Sequence, residues 1–200
     1  MTAEHVDRKA QRWEFAWNLI LGFLVSALSV LTAGSNYMAY QSDKASADLE
    51  ASGDRALAIS NTDYLRANQF IILDYSMFDG EFIQRGVDDF AADYYTANFS
   101  TELQASIDRG EAFDSQYYDE MYAESDASFD EAFVSYDEAN AVKEREAGYQ
   151  LAMLIASVGL AFSAYASLLN RANFLRGLFT LPAFVLLAIG SFQFLASLLA

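Results

Sequence analysis

Three stretches without a single Asp, Glu, Lys, Arg or His constrain this chain more than any other feature of its sequence. They run from Phe15 to Tyr37, from Gly148 to Leu169 and from Gly177 to Leu199. About 20 apolar residues are enough for a helix to cross roughly 30 Å of hydrocarbon, so each stretch is long enough to span a bilayer. The sequence therefore predicts an all-α protein with three transmembrane helices.

The acidic residues lie almost entirely between the first and second of these stretches. Residues 39–147 hold 25 of the 28 acidic residues and seven of the 12 basic ones, a net charge of -18 beside -16 for the whole chain. The other basic residues flank the apolar stretches, and they are Arg8, Lys9, Arg12, Arg171 and Arg176. The positive-inside rule then predicts that the N-terminal tail and the loop before the third stretch are cytoplasmic. Residues 39–147 and the C-terminus are predicted to be extracytoplasmic.

The predicted organisation of this multi-pass cell-membrane protein has six parts. They are a cytoplasmic tail (1–14), a first transmembrane helix (15–38), an acidic helical extracytoplasmic domain (39–147), a second transmembrane helix (148–169), a basic cytoplasmic loop (170–176) and a third transmembrane helix (177–199). A cleaved signal peptide is the alternative for the first stretch, because charged residues precede an apolar run from Leu19 to Ala33. Leu31 stands where a cleavage site prefers a small residue, which favours an uncleaved anchor.

The acidic region contains no Pro and only four Gly, a composition typical of helices. The apolar spacing predicts that the first helix continues to about Phe78 and breaks at Asp79-Gly80, and that a second helix covers residues 81–95. A capping-box pattern from Thr101 to Gln104 predicts a short helix over 101–107. A last helix is predicted from about Asp114, unbroken into the second span. These elements would form a coiled-coil-like helical hairpin.

Several kinds of chemistry are excluded or unsupported by the composition. The chain has no Cys and one His, so it has no disulfide, no thiolate site and no multi-histidine metal site. Its acidity disfavours nucleic-acid binding. The acid-rich run 111–138 lacks the Gly and the spacing of an EF-hand loop. We therefore predict no catalytic, cofactor-binding or metal-binding residues, no cofactor, and no enzymatic activity.

Small residues recur at helical spacing in two of the spans. Gly22 and Ser26 lie four residues apart in the first, and Gly159, Ser163 and Ser167 follow the same spacing in the second. Such faces allow close helix packing, either within the chain or with a partner. The predicted partners are the lipid bilayer and either further copies of this chain or a larger membrane complex.

The layout resembles an uncharacterised family of small prokaryotic membrane proteins with one N-terminal span, a helical insert and two C-terminal spans. The residues that carry the likeness run from Ser135 through Gly148-Tyr-Gln-Leu to Asn170-Arg171, with a second segment from Ala58 to Gln69. The resemblance implies the three-span count and implies no activity.

The functional hypothesis is a non-enzymatic interaction or scaffold protein, or an accessory subunit of a membrane complex. The alternative is a helical extracytoplasmic sensor that acts through a separate signalling partner. A membrane enzyme is a third hypothesis, which no motif supports. Two further hypotheses come from the acidic region. Its acid excess suits a protein from a high-salt habitat, and Asn98-Phe99-Ser100 matches a glycosylation acceptor.

Overall fold

The computed structural model describes the backbone of residues 3–169 and 174–199, and the side chains from Trp13 onward within those ranges. The described chain forms five helices: α1 (Ala3–Gln84), α2 (Asp89–Ala97), α3 (Thr101–Asp108), α4 (Ser115–Leu168) and α5 (Phe174–Leu199). Three of them, α1, α4 and α5, are long and apolar enough to cross a membrane. The prediction of an all-α chain with three such helices is confirmed. Residues 170–173 of the predicted basic loop lie outside the described residues, as do Ala200 and the side chains of residues 1–12 of the N-terminal tail.

The chain divides into two compact units. Residues 1–48 and 138–200 form the first, which we call the membrane unit because it contains the three apolar stretches. Residues 49–137 form the second, which we call the head.

The membrane unit packs leucines of α1 against small residues of α4 and α5. Its buried core contains Leu21, Leu24, Leu28, Ala156, Ala166 and Ala183. The three leucines are spaced three and four residues apart, so they lie on one face of α1. A small residue opposite a large one lets two helix backbones approach closely, which is how helices pack when lipid removes the hydrophobic driving force between them.

The head has small buried residues at a regular interval on α1. Gly53, Ser60, Ala67 and Asp74 are all buried and recur every seven residues. Opposite them, Ser125 of α4 donates a hydrogen bond from Oγ to the Ser60 carbonyl oxygen at 3.1 Å. The core of the head is then completed by Ile71, Leu103 and Tyr117, with aromatic side chains packed around them.

Two predictions for the head are wrong in their boundaries. The helix does not break at Asp79-Gly80, since α1 continues to Gln84, and the predicted helix 81–95 begins eight residues later as α2 at Asp89. Gly80 faces the ring of Tyr95, whose Cε1 would lie 2.6 Å from an added Cβ. The glycine therefore allows α1 and α2 to approach each other closely. The turn is made instead around Gly86, which has a φ of 83°.

The short helix begins at Thr101 as predicted, but its capping residue differs from the prediction. Ser100 is the N-cap of α3, and its Oγ accepts a hydrogen bond from the Leu103 amide at 3.0 Å. The predicted capping box placed the cap one residue later, at Thr101. The reason is tertiary, because Ser100 is held in place by a buried carboxylate on α1. The last helix does run unbroken from Ser115 to Leu168, as predicted.

Candidate functional site

The carboxylate of Asp74 is the most deeply buried acidic group in the described head, with 2% of the residue exposed. Its Oδ1 accepts a hydrogen bond from the Ser100 amide at 3.0 Å, and its Oδ2 accepts from the Tyr117 hydroxyl at 2.8 Å. The Ser100 hydroxyl also donates to Oδ2. Buried polar groups are costly unless they are hydrogen-bonded, and three donors satisfy this one. Asp74 thus ties α1 to the start of α3 and to α4.

The pKa of Tyr117 agrees with this arrangement. Burial raises its pKa above the usual tyrosine value, and the hydrogen bond to Asp74 raises it further. The hydroxyl therefore stays protonated and remains a donor to the carboxylate. Next to it, a hydrogen bond between Tyr118 and Tyr75 raises the pKa of Tyr118 to about 12. Tyr117 and Tyr118 therefore act as neutral hydrogen-bonding groups at any physiological pH.

Phe113 inserts into this cluster from the connection between α3 and α4. Its φ of 61° is in the left-handed region, which costs a side-chain-bearing residue free energy. Its ring stacks on Tyr75 with centroids 4.2 Å apart and meets the edges of Phe78 and Tyr117 at 5.4 and 5.2 Å. Aromatic contacts of this kind contribute beyond their buried area. The packing of one ring against three others explains why the strained backbone persists.

The same connection is closed by Arg109 and Asp114. The Arg109 guanidinium donates two hydrogen bonds to the Asp114 carboxylate, at 2.6 and 2.8 Å. Asp114 also accepts from the Tyr117 amide at 2.8 Å, so it satisfies a free donor at the start of α4. The arginine and this amide lower the pKa of Asp114 to about 2. The carboxylate is therefore ionised in any ordinary buffer.

Two grooves open on the surface of the head. The larger has a volume of about 650 Å³ and is lined by Phe78, Phe99, Ile107 and the charged trio Glu81, Arg85 and Asp93. Arg85 is paired within it, to Glu81 at 2.7 Å and to Asp93 at 3.1 Å. The smaller groove, of about 380 Å³, has four carboxylates in its lining, those of Asp63, Glu102, Glu120 and Glu124. Among the described residues no group of three His, Cys, Asp or Glu side chains is arranged to hold a metal ion.

Large apolar side chains are exposed at the end of α1, in the connection that follows it and at the start of α2. Phe82 is 76% exposed, Val87 is 83% exposed and Phe90 is 88% exposed, and Ile83 beside them is also exposed. We call these four residues the apolar tip. Clustered exposed apolar side chains typically mark a surface that binds another molecule. Acidic residues flank the tip along the chain, among them Asp88 and Asp89.

The five predicted packing residues occupy different environments in the membrane unit. An added Cβ at Gly159 would lie 3.0 Å from Leu28 Cδ2 and 3.2 Å from Leu186 Cβ, so this glycine lies at a close contact with α1 and α5. Ser163 is fully buried one turn later. Gly22 has no atom within 4 Å of an added Cβ, and Ser26 and Ser167 are exposed. Contact of these three residues with a partner remains a prediction.

Two further glycines at close contacts were missed by the sequence reasoning. An added Cβ at Gly148 would lie 2.1 Å from Ser197 Oγ, and one at Gly190 would lie 3.2 Å from Leu31 Cδ2. The residues that they face lie on other helices, so spacing along one helix could not reveal them. Tyr149 supports the first contact by donating a hydrogen bond to the Ser197 carbonyl oxygen at 3.2 Å.

A groove of about 660 Å³ runs along the outside of the membrane unit between α1 and α5. It is lined by Phe23, Ser26, Ala27, Val30, Leu31, Gly34, Leu187, Ser191 and Phe194. The lining is mostly apolar and includes the small residues Ser26, Ala27, Gly34 and Ser191. In a bilayer such a groove is filled by lipid chains or by another helix.

The fold and these surfaces define a multi-pass α-helical membrane protein whose head is stabilised by a buried polar and aromatic cluster. No protein-family model, curated protein or solved structure matches the chain. The resemblance to a family of small prokaryotic membrane proteins remains a prediction from the sequence.

Proposed function

We propose that the protein is a membrane-anchored, non-enzymatic interaction protein, an accessory subunit or scaffold, whose head binds a partner through the apolar tip. The observation that carries the proposal is the exposure of Phe82, Val87 and Phe90 by 76, 83 and 88%. Burying three such side chains in a partner is worth several kcal/mol, about 25 cal/mol for each Å² of apolar surface removed from water.

The charge of the head specifies the kind of partner. The head, residues 49–137, holds 20 acidic and four basic residues and carries a net charge of -16, so a partner with an apolar patch bordered by Lys and Arg is attracted, and a second acidic head is repelled. Association should accordingly weaken as salt increases.

A photoreactive amino acid at Phe90 tests the tip in living cells, with the exposed Ala127 of α4 as the matched control position. We expect a discrete crosslinked product from position 90 that is absent from position 127. Val87→Asp should abolish it, because a charge would be buried in the interface. The same products from both positions, or crosslinking that survives Val87→Asp, would contradict a tip-specific interaction.

The proposal includes an orientation in which the head is an extracytoplasmic, coiled-coil-like hairpin. Basic residues beside the apolar stretches support the orientation by the positive-inside rule. The seven-residue recurrence of Gly53, Ser60, Ala67 and Asp74 supports the hairpin, since coiled coils repeat with that period.

The absence of Cys from the chain makes the orientation directly measurable. Ala127→Cys in the head should react with a membrane-impermeant maleimide in intact cells, whereas Thr2→Cys should react only after lysis. The reverse pattern would overturn the orientation.

The groove between α1 and α5 supports assembly into a larger membrane complex or an oligomer of this chain. Ser26 lines the groove. Ser29 is an exposed residue of the same helix that does not line the groove. We expect Ser26→Leu to lower the mass of the complex seen by native mass spectrometry in detergent, with Ser29→Leu unchanged. A monomeric wild-type protein would refute this part of the proposal.

A sensor is the second candidate, and the larger groove of the head favours it. At about 650 Å³ it is big enough for a small metabolite, and its aromatic and charged lining is typical of ligand sites. A panel of small molecules can be screened by thermal unfolding of the full chain. A compound that raises the unfolding temperature of the wild type but not of Arg85→Gln would favour the sensor over the scaffold. The absence of any shift would favour the scaffold.

A further inference from the structure

Arg176 lies two residues after the start of α5 and is only 5% exposed. Its Nη2 donates a hydrogen bond to Asn18 Oδ1 of α1 at 2.6 Å. Its guanidinium carbon lies 6.0 Å from the centroid of the Trp17 ring. Asn18 and Trp17 therefore hold the guanidinium group in a defined position against α1.

The donors of this arginine are mostly unused within the described chain. A guanidinium carries five N–H donors, and the described residues accept one of them. Nε is buried with no hydrogen-bond partner. The described acceptor, Asn18, is neutral. A buried charge is stable only when an opposite charge and further hydrogen bonds compensate it.

The location indicates where that negative charge comes from. The uncharged run of α5 begins at the next residue, Gly177, and Trp17 is of the residue type that concentrates at the bilayer surface. The guanidinium group is thus at the level where lipid phosphates lie. The planar fork of Arg matches two phosphate oxygens, and such charge-assisted pairs are about twice as strong as neutral hydrogen bonds.

We propose that Arg176, Asn18 and Trp17 form a binding site for a phosphate group. Arg176 donates to the phosphate oxygens, Asn18 orients the guanidinium, and Trp17 covers one side of it. The phosphate comes from the headgroup of a membrane phospholipid or from inorganic phosphate in solution. This site is independent of the apolar tip and of the proposed interaction.

The two tryptophans of the chain make the site observable. In a Trp13→Phe background Trp17 is the sole tryptophan, so its fluorescence reports on the guanidinium beside it. The full chain is purified in dodecyl maltoside, which has no phosphate, and is titrated with short-chain phosphatidylglycerol. Diacylglycerol with the same chains but no phosphate, and inorganic phosphate, are titrated in parallel. Native mass spectrometry counts the lipid bound.

We expect saturable binding of phosphatidylglycerol that changes the Trp17 emission, and no comparable change with diacylglycerol. Arg176→Gln should weaken the binding at least tenfold. Arg145→Gln, which removes an exposed positive charge from the same unit, should leave it unchanged. If Arg176→Gln does not fold, Arg176→Lys carries the comparison, since it keeps the charge and loses the fork, and weaker binding is again expected.

The parallel titrations distinguish the two sources of phosphate. An Arg176-dependent change with inorganic phosphate as large as that with lipid supports the site and assigns it to soluble phosphate. A change with the lipid alone supports the site and assigns it to the headgroup. Equal binding of diacylglycerol and phosphatidylglycerol, or phosphate binding that neither Arg176 variant weakens, overturns the proposal.

Discussion

Replacing Asp74 with Ala tests the account of the head most directly. The substitution removes the acceptor for the Ser100 amide, the Ser100 hydroxyl and the Tyr117 hydroxyl. It leaves the fully buried Tyr117 hydroxyl with no partner. The first consequence is local, because Ser100 is also the N-cap of α3.

The expected magnitude follows from these contacts. A hydrogen bond to a charged group contributes about 1.5–3 kcal/mol, and an unsatisfied buried donor costs about 1–3 kcal/mol. The Ser100 hydroxyl can turn to another acceptor, so the three contributions do not simply add. We expect a loss of about 3–5 kcal/mol, of which about 3 kcal/mol or more falls on the opening of α3. Since about 1.4 kcal/mol corresponds to a factor of ten, α3 should open at least 100-fold more often.

Hydrogen exchange measured by mass spectrometry on the full chain in detergent resolves this opening. Peptides that cover Thr101–Asp108 should exchange at least 100-fold faster in Asp74→Ala, whereas peptides from α5 should be unchanged. Asp79→Ala is the matched control, because Asp79 lies on the same helix and is exposed. Tyr117→Phe removes one of the three donors and should give an intermediate increase.

One result would refute the reasoning. If α3 in Asp74→Ala exchanges within about threefold of both the wild type and Asp79→Ala, the buried carboxylate does not anchor α3. The cap at Ser100 would then be sufficient on its own, and the aromatic cluster around Phe113 would have to hold the connection.

Three further predictions concern other parts of the chain. Gly159→Ala should lower the unfolding temperature in detergent because its Cβ would meet Leu28 at 3.0 Å, whereas Gly22→Ala should not, because no atom lies within 4 Å there; an equal effect would contradict the packing. Ser35→Ala should raise the free energy of unfolding by about 1 kcal/mol, because the buried Ser35 hydroxyl has no hydrogen-bond partner among the described residues. A lower unfolding temperature in this variant would contradict the prediction. Asp114 has a pKa lowered to about 2, so its carboxylate stabilises the folded state above about pH 4 and loses this effect as the pH falls toward 2. The difference in free energy of unfolding between wild type and Asp114→Asn should therefore decrease over that range, and a difference that stays constant would contradict this prediction.

The sequence was sufficient for the elements that hydropathy and continuity determine. Three uncharged stretches predicted the three long apolar helices, and the absence of a breaker after Asp114 predicted the unbroken α4. Both properties belong to one segment of chain and need no knowledge of its neighbours.

Glycine was misread where a neighbouring helix decides its role. Gly80 was interpreted as a helix break, yet it lies inside α1, as does Gly53. An added Cβ would lie 2.6 Å from Tyr95 at the first position and 2.9 Å from Tyr136 at the second. The lost helix propensity of about 1 kcal/mol per glycine is offset by the room it leaves for a tyrosine ring. A sequence alone cannot tell a glycine that breaks a helix from one that admits a neighbour.

The anchoring role of Asp74 was missed, although a sequence pattern could have indicated it. Ala67, Ile71, Asp74 and Phe78 follow one another at steps of four, three and four, so the aspartate lies on the apolar face of α1. An acidic residue at such a position is costly unless it has partners. Those partners are Ser100 and Tyr117, which lie 26 and 43 residues away, and no local rule identifies them.

The two buried charges of the described chain are compensated in opposite ways. Asp74 receives three donors from the head itself, whereas the described residues of the membrane unit give Arg176 one neutral acceptor. A charge that the fold satisfies should affect stability equally in every detergent or lipid. A charge that the fold leaves open should affect stability according to what the surroundings supply. Asp74→Ala should therefore destabilise the protein by a similar amount in all lipids, while the effect of Arg176→Gln should grow as phosphate-bearing lipid is added.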